Sequence, residues 1–283
     1  MVTTLPTTAI LGAGSMGGAI LQGLLHPEVS VDGGVRVTNR TEVKARALRH
    51  GGVTSFATET DPSANSSAVV GARLVLIGVK PHMVVDLLHE IGPVLDAGAV
   101  VVSLAAGVTT ATMEAALPES VSVLRSMPNT PSHVGLGVTG LSAGSRSTDA
   151  DLALARSLFA VVGDVVVVPE AQIDALSTIS GSGPAYVFYL VEQLQEAAVA
   201  LGFTRAQAAT LVQGTFRGAS ELLATSDVLP ADAAPAELRR RVTSPGGTTE
   251  RAVAELADGG LLELFERATQ AALARNREIA EGR

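Results

Sequence analysis

Hydrophobic and polar positions follow different patterns in the two parts of this chain. Up to residue 169, short runs rich in β-branched residues alternate with stretches of helical spacing, which is typical of βαβ units around a parallel sheet. Several of these runs are apolar at almost every position, which predicts strands buried on both faces. The predicted strands are residues 7–11, 35–38, 74–79, 100–104, 122–125, 139–143 and 165–168. The predicted helices between them include residues 16–25, 42–50, 83–88 and 150–161.

The pattern changes after Pro169, where alanine, leucine, glutamine and glutamate replace the β-branched runs. Helices are predicted at residues 171–179, 184–201, 205–224 and 261–281, with a flexible loop at residues 226–235. We therefore expect an α/β fold in which a parallel-sheet domain, residues 1–169, precedes an all-α dimerisation domain, residues 170–283. Some of these helices are apolar on more than one face. A homodimer through this part, or a larger assembly of such dimers, would bury that surface.

Composition and charge exclude several classes of function. The net charge of −8 disfavours nucleic acid or an anionic membrane as a partner. The absence of cysteine excludes disulfides, thiolate nucleophiles and cysteine metal ligands. No apolar run approaches the ~20 residues that span a bilayer, and the first residues lack the features of a signal peptide, so we expect a soluble, cytoplasmic protein. The histidines show no metal-ligand spacing, which predicts packing or surface roles and no metal; they are His26, His50, His82, His89 and His133.

A glycine-rich turn follows the first predicted strand and opens the first predicted helix. In Gly-Ala-Gly-Ser-Met-Gly the glycines can permit a tight turn, let the backbone approach a pyrophosphate, and let helix and strand pack closely. The free amides and positive dipole end of the helix then face the phosphates. This context predicts a Rossmann-type dinucleotide site rather than a glycine-rich loop without a ligand. Its residues are Gly12, Ala13, Gly14, Ser15, Met16 and Gly17.

Asn39, Arg40 and Thr41, at the end of the second predicted strand, bear on the choice of dinucleotide. NAD enzymes place an acidic side chain here to bind the ribose 2′-hydroxyl. Arginine can instead form a forked contact with a 2′-phosphate, and the flanking side chains can add hydrogen bonds. We predict NADP (NADPH) as the cofactor, with NAD as the alternative. A compatible interpretation makes Thr41 a helix N-cap and Arg40 a solvated surface residue.

Further loops follow predicted strands at the edge of the sheet where ligands bind in open α/β folds. Pro81 also suits the first turn of a helix. In the loop after residues 122–125, Arg125 and Asn129 either offer polar groups to a bound ring or satisfy backbone groups of a proline-fixed turn. The cofactor contacts predicted in these loops are Val79, Lys80, Pro81 and Ala105.

Two loops in the helical part combine glycine with hydroxyl side chains. Residues 180–186, Ser-Gly-Ser-Gly-Pro-Ala-Tyr, interrupt two predicted helices, and Pro184 suits the first turn of the second. Residues 242–249, Val-Thr-Ser-Pro-Gly-Gly-Thr-Thr, precede a helix expected near Glu250. Converging amides and the hydroxyls of Ser244, Thr248 and Thr249 would form an uncharged pocket for a small carboxylate. An elaborate N-cap after a glycine turn is an equal alternative.

Together these motifs resemble the pyrroline-5-carboxylate reductase family, and the resemblance runs from Ala9 to the last predicted helix. The matching pieces are GAGSMG, NRT, VKP, SLAAG, MPNTP, DALSTISGSGPAY and VTSPGGTT. The last two are much more specific than a dinucleotide turn. The chain departs from the family at the longer loop of residues 226–235 and at Glu250 and Arg251, where small or apolar residues are usual.

The resemblance implies NADPH-dependent reduction of L-1-pyrroline-5-carboxylate to L-proline, the last step of proline biosynthesis, in an intertwined dimer. It implies that Ser244, Gly247 and Thr248 hold the substrate carboxylate and that Thr249 hydrogen-bonds the ring nitrogen. It also implies that Asn65, in a matching Asn-x-x-x-Val stretch, lies near the adenosine ribose.

Hydride transfer to a cyclic imine depends mainly on alignment and charge placement, and we hypothesise that Thr249 aligns the imine nitrogen and relays its proton. One rival function is that of a related Rossmann imine or hydroxyacid oxidoreductase. Such hydroxyacid enzymes use a lysine in the first long helix of the second domain, which residues 184–201 lack. A second rival is a non-catalytic NADP-binding sensor, against which the intact VTSPGGTT segment argues.

Overall fold

The computed structural model describes residues 2–49, 51–228 and 230–280. These residues form two compact units, the first made of residues 2–184 and 272–280 and the second of Ala185–Ala271. The division after residue 169, which follows from the change of pattern, stays a prediction. Parts of the predictions fall on His50, Leu229 and residues 281–283, which lie outside the described residues.

An eight-stranded sheet forms the centre of the first unit. Its strand order is β10-β9-β8-β7-β6-β2-β4-β5, and β1 and β3 pair separately in a parallel ribbon. The six strands from β8 to β5 are parallel, whereas β9 pairs antiparallel with β8 and parallel with β10. The bounds are β1 Thr3–Leu5, β2 Thr8–Leu11, β3 Val29–Val31, β4 Val35–Asn39, β5 Val53–Ala57, β6 Leu74–Ile77, β7 Val100–Ser103, β8 Ser122–Met127, β9 Gly137–Ala143 and β10 Gly163–Val167.

The central strands are buried on both faces, which explains their unbroken apolar sequence. In β6, Leu74 and Leu76 belong to the core on one face, and Val75 and Ile77 belong to the core on the other. All four side chains are fully buried. Because parallel strands end at one edge, the loops after β2, β4, β6 and β7 follow strand ends on the same side of the sheet.

Helices flank the sheet and make up the second unit. Those of the first unit are α1 Ser15–Leu24, α2 Glu42–Ala47, α3 Ala64–Val69, α4 Val84–Ile91, α5 Thr110–Ala115, α6 Asp149–Phe159 and α7 Ile173–Leu176. The remaining helices are α8 Gly183–Ala200, α9 Arg205–Ala224, α10 Ala234–Arg241, α11 Thr248–Asp258 and α12 Leu261–Ala280.

Some predicted elements need correction. The sequence pattern missed β1, β3 and β5, since two of them have only three residues and β5 is an edge strand with a polar, exposed Thr54. The predicted loop at residues 226–235 ends early, because a short 3₁₀ turn at Ala231–Ala233 leads into α10. The interruption predicted at residues 180–186 is shorter than expected, whereas Pro184 does lie in the first turn of the second helix. A π-helical stretch, Ser177–Gly181, follows α7, and α8 begins at Gly183.

The second unit exposes many large apolar side chains. In α8, the exposed fraction reaches 68% at Phe188 and 61% at Tyr189. In the same unit, the rings of Tyr186 and Phe265 pack edge to face with centroids 6.2 Å apart. Exposure of this kind is typical of a surface that a partner covers. The exposed positions in α8, α11 and α12 include Val187, Leu190, Leu194, Leu256, Leu261, Leu262 and Leu264.

Within the described ranges, none of the helices combines the length and the apolar composition that crossing a membrane requires. In the same part of the chain, no three His, Asp or Glu side chains are grouped to hold a metal ion. The cytoplasmic location stays a prediction.

Candidate functional site

The glycine turn after β2 has the conformation that its motif requires. Gly12 adopts a φ of +86°, which side chains other than glycine rarely tolerate. The amides of Gly12 and Ala13 both donate to the carbonyl oxygen of Thr38, at 3.1 and 2.9 Å. These bonds join the turn to the end of β4, where the residues predicted to select the cofactor lie.

The other two glycines of the motif play different roles. A Cβ on Gly17 would lie 3.0 Å from the carbonyl oxygen of Gly12 and 3.1 Å from a methyl group of Ile10, so α1 packs tightly on the strand. A Cβ on Gly14 would meet nothing within 4 Å. The first-turn amides of α1, which begins at Ser15, lack acceptors inside the helix. A diphosphate would fit here, because the space beside Gly14 is open and these amides can donate to phosphate oxygens.

The end of β4 offers groups that suit a phosphate. Asn39 is 5% exposed, and its Nδ2 has no hydrogen-bond partner among the described residues. Arg40 is exposed, and its guanidinium forms no ion pair with any other described residue. Thr41 is the N-cap of α2 and accepts from the amide of Lys44 at 3.5 Å, which confirms the capping role. Its hydroxyl hydrogen is still available to a ligand, so capping and phosphate binding are compatible.

Two acidic side chains lie near these candidate phosphate-binding residues, and both accept hydrogen bonds from other groups of the protein. Glu42 contacts Arg49 at 2.7 Å, and this hydrogen bond lowers the pKa of Glu42. The carboxylate of Glu59 accepts from the amide of Glu42 at 2.7 Å. The Glu59 carboxylate therefore caps a backbone amide at the start of α2, and that amide is not available to a ligand. No local sequence pattern points to Glu59, because only the fold brings this residue to the start of that helix.

The loop after β6 packs directly on the glycine turn. Gly78 donates to the carbonyl oxygen of Leu11 at 2.7 Å. Pro81 begins a 3₁₀ turn with Lys80 as its N-cap, which confirms the helix-start interpretation of Pro81. Val79 is half-buried and Lys80 is exposed. Gly78 belongs to no predicted motif, and its only sequence signal was its small size after an apolar strand.

The loop after β7 reaches the same edge. The amide of Leu104 donates to the carbonyl oxygen of Ile77 at 3.0 Å, and the amide of Ala105 donates to Ser103 Oγ at 3.1 Å. Ala105 itself is buried. Hydrogen bonds thus join the glycine turn to the end of β4 and to the loop after β6, and they join the loop after β7 to the end of β6. Asn65, in α3, donates instead to Glu90 at 3.2 Å, and its ribose contact stays a prediction.

Asn129 and Arg125 are engaged by the protein itself. Asn129 donates to the carbonyl oxygen of Ser180 at 2.9 Å and accepts from the amide of Val138 at 2.8 Å. Arg125 is 4% exposed and contacts Asp174 at 2.6 Å. These bonds confirm the interpretation of Asn129 as a residue that satisfies backbone groups. The bond from Asn129 to Ser180 also anchors the π-helical stretch.

The VTSPGGTT segment lies in the second unit and forms the start of α11. Gly246 has a φ of +72°, and Gly247 is the N-cap, with its amide bonded to the carbonyl oxygen of Ser244 at 3.0 Å. The helix begins at Thr248, two residues before the predicted start. A Cβ on Gly247 would lie 2.9 Å from that carbonyl oxygen, which explains the glycine.

Three hydroxyl groups of this segment are free to bind a ligand, whereas that of Thr243 donates to the carbonyl oxygen of Arg239 at 2.6 Å. Ser244, Thr248 and Thr249 are exposed, and their hydroxyls form no hydrogen bonds with other described residues. The Gly246 amide is instead bonded to the carboxylate of Glu250, at 2.7 Å. The helix start is therefore capped without the hydroxyls, which leaves them and the first-turn amides for a small anion.

Comparison with known proteins agrees with this arrangement. A family profile described as pyrroline-5-carboxylate reductase dimerisation matches residues 170–279, and one described as NADP oxidoreductase coenzyme F420-dependent matches residues 7–107. These matches support an N-terminal dinucleotide-binding unit and homo-oligomerisation through the helical part.

Relatives match over nearly the whole chain. The chain is 40% identical to a pyrroline-5-carboxylate reductase from Corynebacterium melassecola, over 97% of this chain and 99% of that protein. It is 38% identical to one from Mycobacterium leprae (strain TN), over 99% and 98%. A solved pyrroline-5-carboxylate reductase from Coxiella burnetii has 36% identity and a TM-score of 0.86, covering 96% of this chain and 97% of that one. The resemblance inferred from the motifs is confirmed: the chain belongs to the pyrroline-5-carboxylate reductase family.

Proposed function

We propose that this protein reduces L-1-pyrroline-5-carboxylate to L-proline, with NADPH as the hydride donor. The observation that carries the proposal is full-length similarity to pyrroline-5-carboxylate reductases, at up to 40% identity. The intact glycine turn and the free hydroxyls at the start of α11 support it, because the reaction needs a dinucleotide site and a small-carboxylate site.

The first unit binds the cofactor in this proposal. Bound NADPH supplies the hydride. The amides at the start of α1, with Gly14 and Ser15, hold the diphosphate, and Arg40 binds the 2′-phosphate. Asn39 is a suitable second donor, since its buried Nδ2 lacks a partner among the described residues. The remaining contacts at this edge are assigned to Ala13, Met16, Val79, Pro81 and Ala105.

The start of α11 binds the substrate. The substrate carboxylate accepts hydrogen bonds from the hydroxyls of Ser244 and Thr248, and from first-turn amides made accessible by Gly247. Glu250 has already taken the amide of Gly246, so that amide is left out of the site. The donors assigned to the substrate carboxylate are all uncharged groups.

Thr249 acts on the reacting ring. In the protonated imine, hydride forms a new bond to the C5 carbon while the π electrons of the carbon–nitrogen bond move to nitrogen. The amine that forms then takes a proton to become the proline ammonium. We assign the Thr249 hydroxyl to orienting the nitrogen and relaying this proton. Orientation then contributes more to the rate than acid–base strength.

The helical unit forms a homodimer in this proposal, and the dimers can assemble further. The exposed apolar side chains of α8 and α12 support it, because their burial would remove large apolar areas from water. Light scattering of the purified protein tests this directly. The proposal expects at least twice the mass of one chain, and a monomer at enzyme concentration would contradict it.

The reaction itself is tested by mixing the purified protein with NADPH and pyrroline-5-carboxylate and following the absorbance of the reduced cofactor. Consumption of NADPH should require the imine, and proline should form in equal amount. A hydroxyacid offered with NADP should give no turnover, which separates the proposal from the hydroxyacid rival. Cofactor binding without turnover would instead favour the non-catalytic sensor.

A further inference from the structure

His133 lies beside the glycine turn, although the sequence separates it widely from that motif. Its Nε2 lies 3.2 Å from Oγ of Ser15, the first residue of α1. His133 belongs to the 3₁₀ helix Thr130–Val134, which packs against α1. An imidazole thus hydrogen-bonds a hydroxyl at the helix end to which the diphosphate is assigned.

The imidazole of His133 is exposed and also borders an open cavity of about 590 Å³. The cavity is bordered by α1 and α6 as well, and its polar lining includes Gln22, His26 and Glu28. Exposure on this side lets His133 exchange protons with water while Nε2 stays against Ser15.

Few charged groups surround His133 within the described residues. The elements that pack most extensively on its 3₁₀ helix are α1 and β9, and neither carries an acidic or basic residue. The 3₁₀ helix carries no other titratable side chain. In the cavity, His26 and Glu28 lie within 4.0 Å of each other. A diphosphate at α1 would therefore bring a strong negative charge to an imidazole that forms no ion pair in this part of the chain.

We propose that His133 is a positioning residue for the cofactor diphosphate and makes cofactor binding depend on pH. When the imidazole is protonated, Nε2–H donates to Ser15 Oγ, and the serine hydroxyl is free to donate to a phosphate oxygen. When it is neutral with its hydrogen on Nδ1, Nε2 accepts the serine hydrogen, so the serine oxygen presents only lone pairs to the phosphate. This inference rests on the proposed placement of the cofactor at α1.

The direction of the effect follows from linkage. The diphosphate favours the charged imidazole, so cofactor binding raises the imidazole pKa. Affinity should then be greatest at low pH and should fall as the pH rises and the imidazole loses its proton. A residue that only supported the fold would not produce this profile.

The test measures the Kd of NADH from about pH 5.5 to about pH 8, a window that brackets the imidazole range. NADH is used because the 2′-phosphate of NADPH itself titrates near about pH 6. The wild-type Kd should rise roughly tenfold across this window, as expected for losing one charge-assisted contact. His133→Leu should bind weakly at every pH. His133→Gln, whose amide can still donate to Ser15, should retain affinity but lose the pH dependence.

His26→Gln is the matched control, because His26 lines the same cavity and is not bonded to Ser15. It should keep the wild-type profile. An NMR titration of the His133 imidazole gives a second readout, in which NADP should raise its pKa. Wild-type affinity and pH profile in His133→Leu would overturn the inference while leaving the proposed function intact. Failure of the wild type to bind either cofactor would overturn both.

Discussion

A Cβ atom on Gly78 would stand 2.6 Å from the carbonyl oxygen of Gly12. The end of β6 and the glycine turn are therefore packed backbone against backbone, and the hydrogen bond from the Gly78 amide to the carbonyl oxygen of Leu11 holds them together. The position of the glycine turn thus depends on Gly78, a glycine outside the dinucleotide motif.

Gly78 and Gly14 should respond differently to replacement by alanine, because only a Cβ on Gly78 would clash with neighbouring backbone. Gly78→Ala should destabilise the fold by about 1–3 kcal/mol, as overpacking typically does. Gly14→Ala should change stability by less than about 1 kcal/mol, since its Cβ meets nothing within 4 Å, but should weaken NADPH binding about tenfold or more. Urea unfolding and NADPH titration measure the two effects. Equal destabilisation by both substitutions would contradict the packing argument.

Arg40 should determine the preference for NADPH. Arg40→Ala should raise the Michaelis constant for NADPH about 10- to 100-fold, the loss of one hydrogen-bonded charge contact, and leave that for NADH nearly unchanged. Arg46→Ala is the control, because Arg46 is exposed on α2 and lies 3.9 Å from Glu42. If the wild type prefers NADH, or if Arg40→Ala affects both cofactors equally, the assignment of Arg40 is wrong.

Asp151 should make the first unit sensitive to acid. Burial alone would raise the pKa of Asp151, but hydrogen bonds from Thr148, Arg73 and Ser122 outweigh it and lower the pKa to about 2. Because the folded pKa lies below the unfolded value, the stabilisation is complete above about pH 4 and is lost as the pH falls through about 2.

Asp151→Asn should therefore cost about 2 kcal/mol at neutral pH, and the difference from wild type should shrink in acid. Urea unfolding at several pH values measures this. Asp149→Asn, at an exposed position in the first turn of the same helix, should change stability little. A pH-independent difference for Asp151→Asn would show that its carboxylate does not act through ionisation.

Thr249 should affect turnover rather than cofactor binding. Thr249→Ala should lower kcat about 10- to 100-fold through the lost hydrogen bond to the ring nitrogen, with the Kd for NADPH unchanged. Thr249→Ser keeps the hydroxyl and should retain most of the activity. Unchanged turnover in Thr249→Ala would remove this residue from the mechanism.

The sequence predicted the parts of the fold in which local pattern and burial agree. Residues 74–77 are buried on both faces, so their apolar run identified β6 correctly. The motif glycines were predictable for a similar reason, since a positive φ at Gly12 and tight packing at Gly17 are local requirements.

The features that were missed depend on contacts between distant segments. The π-helical stretch after α7 receives a hydrogen bond from Asn129, which lies 51 residues from Ser180 in the sequence. Likewise, Glu59 reaches the start of α2 only through the pairing of β4 with β5. A local pattern contains no information on such pairings. The loops at the edge of the sheet where the parallel strands end could therefore be predicted, but the hydrogen bonds between distant segments could not.

In the proposed reaction, hydride passes from NADPH to C5 of the cyclic imine. The most direct measurement uses NADPH carrying deuterium at the transferable position of the nicotinamide, with pyrroline-5-carboxylate as substrate and mass spectrometry and NMR of the product. The expected product is L-proline with one deuterium at C5. Proline without deuterium, deuterium at another carbon, or no proline at all would rule out this hydride transfer.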